Sequence, residues 1–565
     1  MVKLARSDPR DPAIRNDQFR SPTSHQFSGS NLWALLQLRA RLSGNERFMT
    51  WHPFEGPGRA WTYAQFARDA AALAAGLQRR GIKAGDPVLI HLENCPEFLL
   101  AWFGCAAIGA VAVTTNTRSS ADELSYYADH CRAVAAITQP RLVSLVAKSS
   151  RDLCWMVCLD HDAGVPVDAV ARPDSASSFK SLLADPNELI AAAPDPWAPM
   201  SVQYTSGTTS RPKGVLWTHA NVLWAAKTHA GYEDLHASDR HLVFAPLFHT
   251  NALAFSMLPT LWAGASFTLI PKWSSSRFWD ISVQHAATWI SLIGPCLVTL
   301  ATVPAPPNHS YRMFGGPAWD DPPHPGLAGI KTLPWWGMTE TVGAAIVGDA
   351  LLPNRSGGMG RPAPGYGIAV VRDDGVTPVE PEETGHLLVK GTPGLSLFAE
   401  YLHNPQATRE SFDEWGWFRT GDLVTAHSDG HLSFADRSKD MLKVGGENVA
   451  ASEIERAIYS VAEVYDAAVV GRPDTFLEEV PVAFVLAPGA DAQLAAKVVT
   501  ACRSMLADFK VPRDVYVVRE LPRSTLGKIN KVELRKFTAP DADRAAAELR
   551  WMAEAKVDPS GDAQV

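Results

Sequence analysis

The stretch "YTSGTTSRPKGV", Tyr204 to Val215, combines small hydroxyl residues with a proline, a lysine and a glycine. Backbone N–H groups and hydroxyls in such a loop can surround phosphate, and Lys213 can neutralise it. The P-loop of a nucleotide hydrolase needs glycine before its lysine and a hydroxyl residue after it. Here Pro212 precedes the lysine and Gly214 follows it, so the spacing excludes that class. Two interpretations of the stretch remain equally supported by composition alone. It is either a phosphate-binding loop of a different class of ATP-using protein or a solvated turn.

Segments with helical and strand periods alternate around this stretch. Four apolar residues share one helical face: Phe66, Ala70, Leu73 and Leu77. Thr62 is the predicted cap of that helix, and Gly81 is its stop. Short apolar runs such as "HLVFAPL", "SFTLI" and "TWISLI" are typical of buried parallel strands. The pattern predicts an α/β fold built from layered units.

The length of 565 residues predicts two or more domains. The stretch from Pro304 to Gly326 is dense in proline and glycine, which indicates a loop bordering a site. Composition changes again at Ala435–Val449, and the chain beyond this point predicts a small domain. Ser452–Glu455, "SEIE", has the form of a capping box that opens a helix. The tail after Phe537 is rich in alanine and charge, and we expect it to fray.

The bulk properties exclude several classes of function. A net charge of −8 and a pI near 6.1, without a long basic run, argue against nucleic acid as a partner. The apolar run Phe98–Val113 is short for a membrane span, and the N-terminus lacks a secretory pattern. The seven cysteines are scattered, which favours reduced thiols. We therefore expect a cytoplasmic protein without membrane insertion.

Further motifs follow the opening stretch in a fixed order: "FAPLFHTNA", "WWGMTE", "GHLLVKG", "WFRTGDL", "FADRSKDMLKVGGENV" and "LPRSTLGKINK". Together they resemble the acyl-adenylate-forming (AMP-binding) superfamily of acyl-CoA synthetases, peptide-synthetase adenylation domains and luciferases. The likeness runs from about Asn31 to Phe537. The stretch that begins at Phe248, "FHTNALAFSMLPTLWAGASFTLI", and the later "KWSSSRFW" look most similar to the carnitine- and fatty-acid-CoA ligase branch.

The resemblance implies a domain organisation. A large domain, residues 31–438, would contain layered α/β subdomains and a β-barrel-like part. A small mobile α+β domain, residues 439–540, would be hinged at Lys439. Residues 1–30 would be an N-terminal extension and residues 541–565 a tail.

The resemblance also implies an AMP-forming carboxylate–CoA ligase that uses ATP, Mg2+ and coenzyme A. A small carboxylic acid would react with ATP to give acyl-AMP and pyrophosphate, and the acyl group would then pass to the thiol. A stand-alone adenylating enzyme that loads a carrier protein is the alternative. A non-catalytic nucleotide-binding scaffold would be expected to lack Glu340 or Lys528, and both are present. Dimers are common in this superfamily, so the resemblance also allows a homodimer.

Roles for the reacting centre follow from matched motif positions. Lys528 would bridge the carboxylate and the phosphate oxygens, where two anions must meet. Thr339 would donate its hydroxyl to the α-phosphate, and Glu340 would be the magnesium ligand. His249 would be a gate near the substrate carboxylate, although a histidine in this position is as often a packed core residue.

The nucleotide and coenzyme A contacts also follow from the motifs. The phosphate loop would contribute Thr205, Ser206, Gly207, Thr208, Thr209 and Lys213. The adenine would lie along Gly315, Gly316 and Pro317, beside Trp336 and Gly337. Asp422 would accept hydrogen bonds from the ribose hydroxyls, with Arg437 as a second ribose or phosphate contact. The coenzyme A tunnel would contain Gly445 and Gly446.

Family position places the acid pocket among His249, Asn251, Phe314, Trp319 and Gly337. Amino-acid-activating relatives carry an aspartate near Phe248–Ala252, and this sequence has none there. An amino-acid substrate is therefore disfavoured. Bulky Trp319, Trp335 and Phe314 would shorten the pocket, which favours a short, branched or aromatic acid over a long straight chain.

Overall fold

The computed structural model describes residues 26–150, 152–167, 173, 176–205, 212–293, 296–297, 300, 303–319, 327, 329–437, 440–444, 447–474, 477–488, 493–506, 508–523, 529–538 and 552–557. Most of the predicted N-terminal extension and tail lies outside these ranges. Within the tail, residues 552–557 form a strand, although we expected this segment to fray.

The helices, in chain order, are α1 (Leu32–Leu42), α2 (Tyr63–Arg79), α3 (Pro96–Ile108), α4 (Ala121–Cys131), α5 (Pro140–Ser149), α6 (His219–Tyr232), α7 (Thr250–Ala252), α8 (Leu258–Ala263), α9 (Ser275–Gln284), α10 (Pro405–Glu410), α11 (Ala451–Tyr459), α12 (Leu494–Met505) and α13 (Lys531–Thr538). A π-helical turn, Leu253–Met257, joins α7 to α8. Among the described residues, no helix combines the length and apolar character needed to cross a membrane.

The strands of the first half are β1 (Arg47–Trp51), β2 (Arg59–Thr62), β3 (Pro87–His91), β4 (Val111–Thr114), β5 (Ala135–Thr138), β6 (Trp155–Cys158), β7 (His161–Asp162), β8 (Val165–Pro166), β9 (Ala176–Ser178), β10 (Pro199–Thr205), β11 (Lys213–Thr218), β12 (Arg240–Val243), β13 (Ser266–Leu269) and β14 (Trp289–Ser291).

The remaining strands are β15 (Met313–Gly315), β16 (Lys331–Leu333), β17 (Trp335–Trp336), β18 (Ile346–Val347), β19 (Arg361–Pro362), β20 (Gly367–Val371), β21 (Thr384–Lys390), β22 (Glu400–Tyr401), β23 (Phe418–Ala426), β24 (Leu432–Arg437), β25 (Met441–Val444), β26 (Glu447–Ala450), β27 (Asp466–Asp474), β28 (Glu478–Leu486), β29 (Asp514–Val518) and β30 (Met552–Val557).

Two large sheets form the body of the protein. An eight-stranded sheet has the order β22-β11-β10-β4-β3-β5-β6-β9, and a seven-stranded sheet has the order β16-β15-β14-β12-β13-β1-β2. Strands β12 to β16 pair in parallel, as the short apolar runs predicted. Strands β10 and β11 form an antiparallel pair, so the two ends of the opening stretch lie side by side in the eight-stranded sheet.

Aromatic side chains connect the two sheets through the helices between them. Phe48 of β1 packs edge-on against Phe66 of α2, with ring centres 5.1 Å apart. Phe66 in turn lies 5.4 Å from Phe103 of α3. The neighbouring Trp102 donates its indole N–H to Ser201 Oγ of β10, 3.3 Å away. This chain of contacts runs through the large hydrophobic core that both sheets share and confirms the layered α/β prediction.

Helix α2 shows how the sequence specifies its local structure. The Thr62 hydroxyl accepts from the Gln65 amide while the Gln65 side chain accepts from the Thr62 amide, which completes a capping box. Gly81 follows the helix with φ +87°, a conformation that favours glycine. The predicted apolar face is fully buried.

A second architecture follows the two sheets. Strands β17-β18-β19 form one small antiparallel sheet and β20-β21-β23-β24 form another. An isolated antiparallel bridge between Gly360, next to β19, and Leu432 of β24 connects the two small sheets. This is the part that the resemblance described as barrel-like.

The C-terminal residues build a sheet of their own from β25 to β30. Helices α11 and α12 cover one face with one hydrophobic cluster, and α13 covers the other face with a second cluster. A large N-terminal part and a small α+β C-terminal part are therefore present, as predicted.

Two local predictions were wrong. The Pro- and Gly-dense stretch contains strand β15, because Met313–Gly315 pairs in register with both β14 and β16. Ser452 does not cap a helix, because α11 begins one residue earlier, after Ala450. The Ser452 hydroxyl instead donates to the carbonyl of Ala435 on β24. Both errors arose because tertiary pairing overrode a local pattern.

Candidate active site

The structure describes the two ends of the predicted phosphate loop. Thr205 and Lys213 are paired positions of strands β10 and β11. The ring of Tyr204 stacks on Tyr127 of α4 at 4.3 Å, and the Tyr126 hydroxyl donates to the Pro212 carbonyl at 3.0 Å. Helix α4 thus anchors both ends. The predicted phosphate contacts Ser206, Gly207, Thr208 and Thr209 lie outside the described residues.

Lys213 and Glu340 lie on either side of one buried tyrosine. The Lys213 ammonium is 4.5 Å from the centre of the Tyr401 ring. The Tyr401 hydroxyl donates to Glu340 Oε1 at 2.9 Å. Burial and the nearby Glu340 carboxylate raise the pKa of Tyr401 far above its ordinary value, so the phenol keeps its proton and donates. Sequence reasoning missed Tyr401, because a lone tyrosine on a two-residue edge strand carries no pattern.

Thr339 is held from two strands. Its carbonyl accepts from the Trp217 indole at 2.9 Å. Its hydroxyl lies 3.3 Å from that of Thr250, which donates to Gln203 Oε1 at 3.0 Å. The Thr250 hydroxyl therefore lies within hydrogen-bond distance of both Gln203 Oε1 and the Thr339 hydroxyl.

Glu340 is a suitable single carboxylate for magnesium. Its side chain is 4% exposed, and its backbone carbonyl accepts from the Phe398 amide at 2.8 Å. Magnesium keeps several waters and takes other oxygens from phosphates, so one carboxylate is sufficient. Within the part of the chain that the structure describes, no cluster of three or more His, Cys, Asp or Glu side chains could hold a metal.

Trp336 and Asp422 meet in a buried hydrogen bond. The indole N–H of Trp336 donates to Asp422 Oδ2 at 2.9 Å. Asp422 is 4% exposed and faces Arg437 across the β23–β24 register. The structure therefore brings the predicted adenine and ribose residues together. The side chain of Arg437 lies outside the described residues.

The Gly315–Gly316–Pro317 corner runs beneath an aromatic ring. A Cβ atom on Gly315 would lie 1.9 Å from Trp335 Cη2, so only glycine fits there. Gly316 has φ +150°, and its amide donates to the Leu333 carbonyl at 3.0 Å. Gly337 is also confined, because its Cβ would lie 2.7 Å from the Gly343 carbonyl oxygen and 3.1 Å from Phe255 Cζ.

Three of the predicted pocket residues, Gly337, Phe314 and Trp319, lie on two faces of the seven-stranded sheet. Gly337 lies on the face of Trp335 and Phe255. Phe314 points to the opposite face, where it packs 4.9 Å from Tyr311 and 6.4 Å from Trp319. This separation follows from strand alternation, since Gly315 and Phe314 are successive residues of β15. Phe314 and Trp319 therefore do not lie with Gly337.

His249 and Asn251 flank the start of α7. The His249 ring packs 4.5 Å from Phe248, and His249 is the residue that precedes the helix. Asn251 Oδ1 is buried and makes no hydrogen bond to the described residues. Such an atom is a candidate contact for a polar group of the substrate.

Besides the four residues of the phosphate loop, four further predicted residues lie outside the described residues: Lys439, Gly445, Gly446 and Lys528. The flanks of the last one are described, since Arg523 and Ile529 form an isolated antiparallel bridge. Their functional assignments remain predictions.

Comparison with known proteins identifies the family. Residues 36–402 match the family described as AMP-binding enzyme, and residues 453–528 match the AMP-binding enzyme C-terminal domain. A crotonobetaine/carnitine–CoA ligase of Salmonella typhi is 32% identical over 522 residues, covering 90% of this chain and 99% of the relative.

Two solved structures are similar throughout. An anthranilate CoA ligase in complex with anthranoyl-AMP has a TM-score of 0.80 and 25% identity, covering 93% of this chain and 100% of that one. The o-succinylbenzoate coenzyme A synthetase of Bacillus subtilis, solved with AMP, has a TM-score of 0.76 and 25% identity, covering 90% and 98%. A further structure of it holds ATP and a magnesium ion. The chain therefore belongs to the AMP-binding enzyme family, in its acyl-CoA synthetase branch, and is an AMP-forming CoA ligase.

Proposed function

We propose that this CoA ligase activates a short, branched or aromatic carboxylic acid in the cytoplasm, where ATP and coenzyme A are supplied. The observation that carries the proposal is the closure of the space beside Gly315 and Gly337. Trp335 and Phe255 occupy it, with ring centres 5.7 Å apart in an edge-on contact. An acid whose carboxylate reaches the α-phosphate would meet these rings after a short distance.

The closure continues deeper into the protein. Trp289 stacks on Trp335 at 6.0 Å, and His229 stacks on Phe255 at 4.4 Å. A long alkyl chain would have to displace this packed column, at the cost of its dispersion contacts. The relatives named for anthranilate and for crotonobetaine or carnitine support the same choice, because neither name denotes a long-chain acid.

In the first half-reaction a carboxylate oxygen attacks the α-phosphorus of ATP, and the bond to pyrophosphate breaks. Thr339 would donate its hydroxyl to an α-phosphate oxygen, after releasing Thr250. Lys528 would neutralise the two anions where they meet. Asp422 would accept from the ribose hydroxyls while it holds Trp336 in place. His249 would guard the approach of the carboxylate.

Glu340 would hold magnesium, which when bound supplies positive charge to the phosphate oxygens. Tyr401 supports this assignment, since its hydroxyl fixes one carboxylate oxygen at 2.9 Å. Lys213, which lies 4.5 Å from the centre of the same ring, would neutralise the departing pyrophosphate.

In the second half-reaction the thiolate of coenzyme A attacks the acyl carbonyl carbon, and AMP leaves. Gly445 and Gly446 would line the path of the pantetheine arm after the small domain turns about Lys439. Transfer to a carrier protein is not favoured, since the named relatives are CoA ligases.

A panel of acids tests the proposal through pyrophosphate release with and without coenzyme A. We expect benzoate-like and branched short acids to react faster than hexadecanoate, and acyl-CoA and AMP to form only when the thiol is present. Faster turnover of hexadecanoate than of every short acid would refute the substrate class.

A matched pair of variants tests the closure itself. Trp335→Leu should raise kcat/KM for octanoate about tenfold, because it frees length for several methylenes. Trp319→Leu is the control, since this tryptophan packs on the other face of the sheet. An equal shift in both variants would contradict the assigned pocket.

A further inference from the structure

A strained turn follows directly after the Thr339–Glu340 pair. Val342 is buried with φ +62° and ψ −54°, and the Gly343 amide donates to the Thr341 carbonyl at 2.5 Å. This is a γ-turn with positive φ, which is rare and strained, and a β-branched residue makes it more so. Such a turn persists only where its surroundings hold it.

His229 of α6 holds one end of the turn. The Ala344 amide donates to His229 Nε2 at 3.0 Å. Because an amide can only donate, the ring proton is on Nδ1, which donates to Glu233 Oε1 at 3.1 Å. Burial lowers the pKa of His229 to about 3, which keeps the ring neutral and its Nε2 free to accept.

Tyr366 holds the other end. Its hydroxyl donates to the Thr341 carbonyl at 2.8 Å and accepts from the Trp224 indole at 3.1 Å. Trp224 and His229 both belong to α6, so one helix is connected to both sides of Val342.

The clamped segment is closed on itself. The Ala345 amide donates to the Trp336 carbonyl at 3.1 Å, so Thr339 and Glu340 lie inside a loop whose ends are joined. Relaxation of Val342 to negative φ would move the backbone of this loop. We propose that His229 is a positioning residue, which fixes the approach of Thr339 and Glu340 to ATP by holding the strained turn. The proposal rests on the roles proposed above for these two side chains.

Two substitutions separate the bonds of His229. Asn can place an amide N–H where Nδ1 donates to Glu233, but it cannot reach Ala344. Gln can place its carbonyl oxygen where Nε2 accepts from Ala344. We expect His229→Asn to lower kcat for pyrophosphate release about tenfold and to raise the magnesium concentration for half-maximal rate. His229→Gln should stay close to the wild type.

Amide hydrogen exchange measures the clamp without any substrate. Peptides covering residues 338–348 should exchange faster in His229→Asn than in the wild type and His229→Gln. His241→Asn is the matched control, because this second buried histidine lies 3.9 Å from Glu233 Oε2 and its ring stacks on Trp289. It should lower the unfolding temperature without changing the magnesium requirement.

Relief of strain gives a further readout. In a Val342→Gly background the turn needs less support, so His229→Asn should lower kcat by less than about threefold there. If His229→Asn does not fold, Tyr366→Phe removes the other bond and should shift exchange and magnesium requirement in the same direction. Wild-type exchange in both variants, or equal losses in the Asn and Gln variants, would overturn the proposal. A wild type that forms no adenylate would refute the proposed function and leave the exchange result standing.

Discussion

The two parts of the chain that carry the predicted catalytic residues are stabilised differently. Before residue 438, Thr339 and Glu340 are bonded to residues of several strands and border one large core. After it, the chain has two cores of its own, and no core cluster of the described residues includes both sides. A bond from Ser452 to Ala435 crosses the boundary. A turn of the small part would therefore open no core, whereas the side chains proposed for catalysis in the large part are already held in place.

Lys528→Ala removes the proposed contribution of the small part and should have the largest effect. We expect adenylate formation to slow by about a hundredfold or more, which corresponds to about 3 kcal/mol, because one cation aimed at the reacting anions is lost. Pyrophosphate release in single-turnover experiments measures it. Lys536→Ala, an exposed lysine on α13, is the control and should leave the rate unchanged. Near-normal release in Lys528→Ala would mean that the large part is sufficient.

The regular secondary structure of the large part could be predicted well from the sequence. The cap and face of α2 and the parallel strands follow from periods of a few residues, which local physics determines. The motifs also predicted that Trp336 and Asp422 contact the same nucleotide, and the structure joins these two side chains by a hydrogen bond.

Contacts between residues far apart in sequence could not be predicted in the same way. Tyr401 is 61 residues from Glu340, and Trp217 is 122 residues from Thr339. Neither residue stands in a pattern that points to its partner. The side-chain direction of Phe314 could not be predicted either, because the stretch around it was interpreted as a loop and its strand alternation was not seen.

Lys439→Pro tests whether the small part must turn. Proline fixes φ and removes the amide donor, so a hinge at this position would lose its second conformation. We expect acyl-AMP formation to continue while thioester formation falls on the order of thirtyfold. Separate assays of pyrophosphate release and of acyl-CoA formation from isolated acyl-AMP resolve the two steps. Equal survival of both steps would place the hinge elsewhere.

Tyr401→Phe tests the large part and should have the smallest effect of the three. The change removes one hydroxyl, so Glu340 loses a 2.9 Å hydrogen bond inside a buried site. A hydrogen bond to a charged group contributes about 1.5–3 kcal/mol, from which we expect kcat/KM for ATP to fall about tenfold. The magnesium requirement should rise, because the Glu340 carboxylate loses one of the bonds that orient it.

Tyr311→Phe is the matched control for this change. Tyr311 is equally buried, its hydroxyl lies 2.8 Å from Ser282 Oγ, and it packs on the face of the sheet away from the site. Both variants should lower the unfolding temperature, but only Tyr401→Phe should shift the magnesium titration of pyrophosphate release. The same shift in both variants would mean that Tyr401 contributes only packing. The orientation of Glu340 would then depend on the hydrogen bond between its backbone carbonyl and the Phe398 amide.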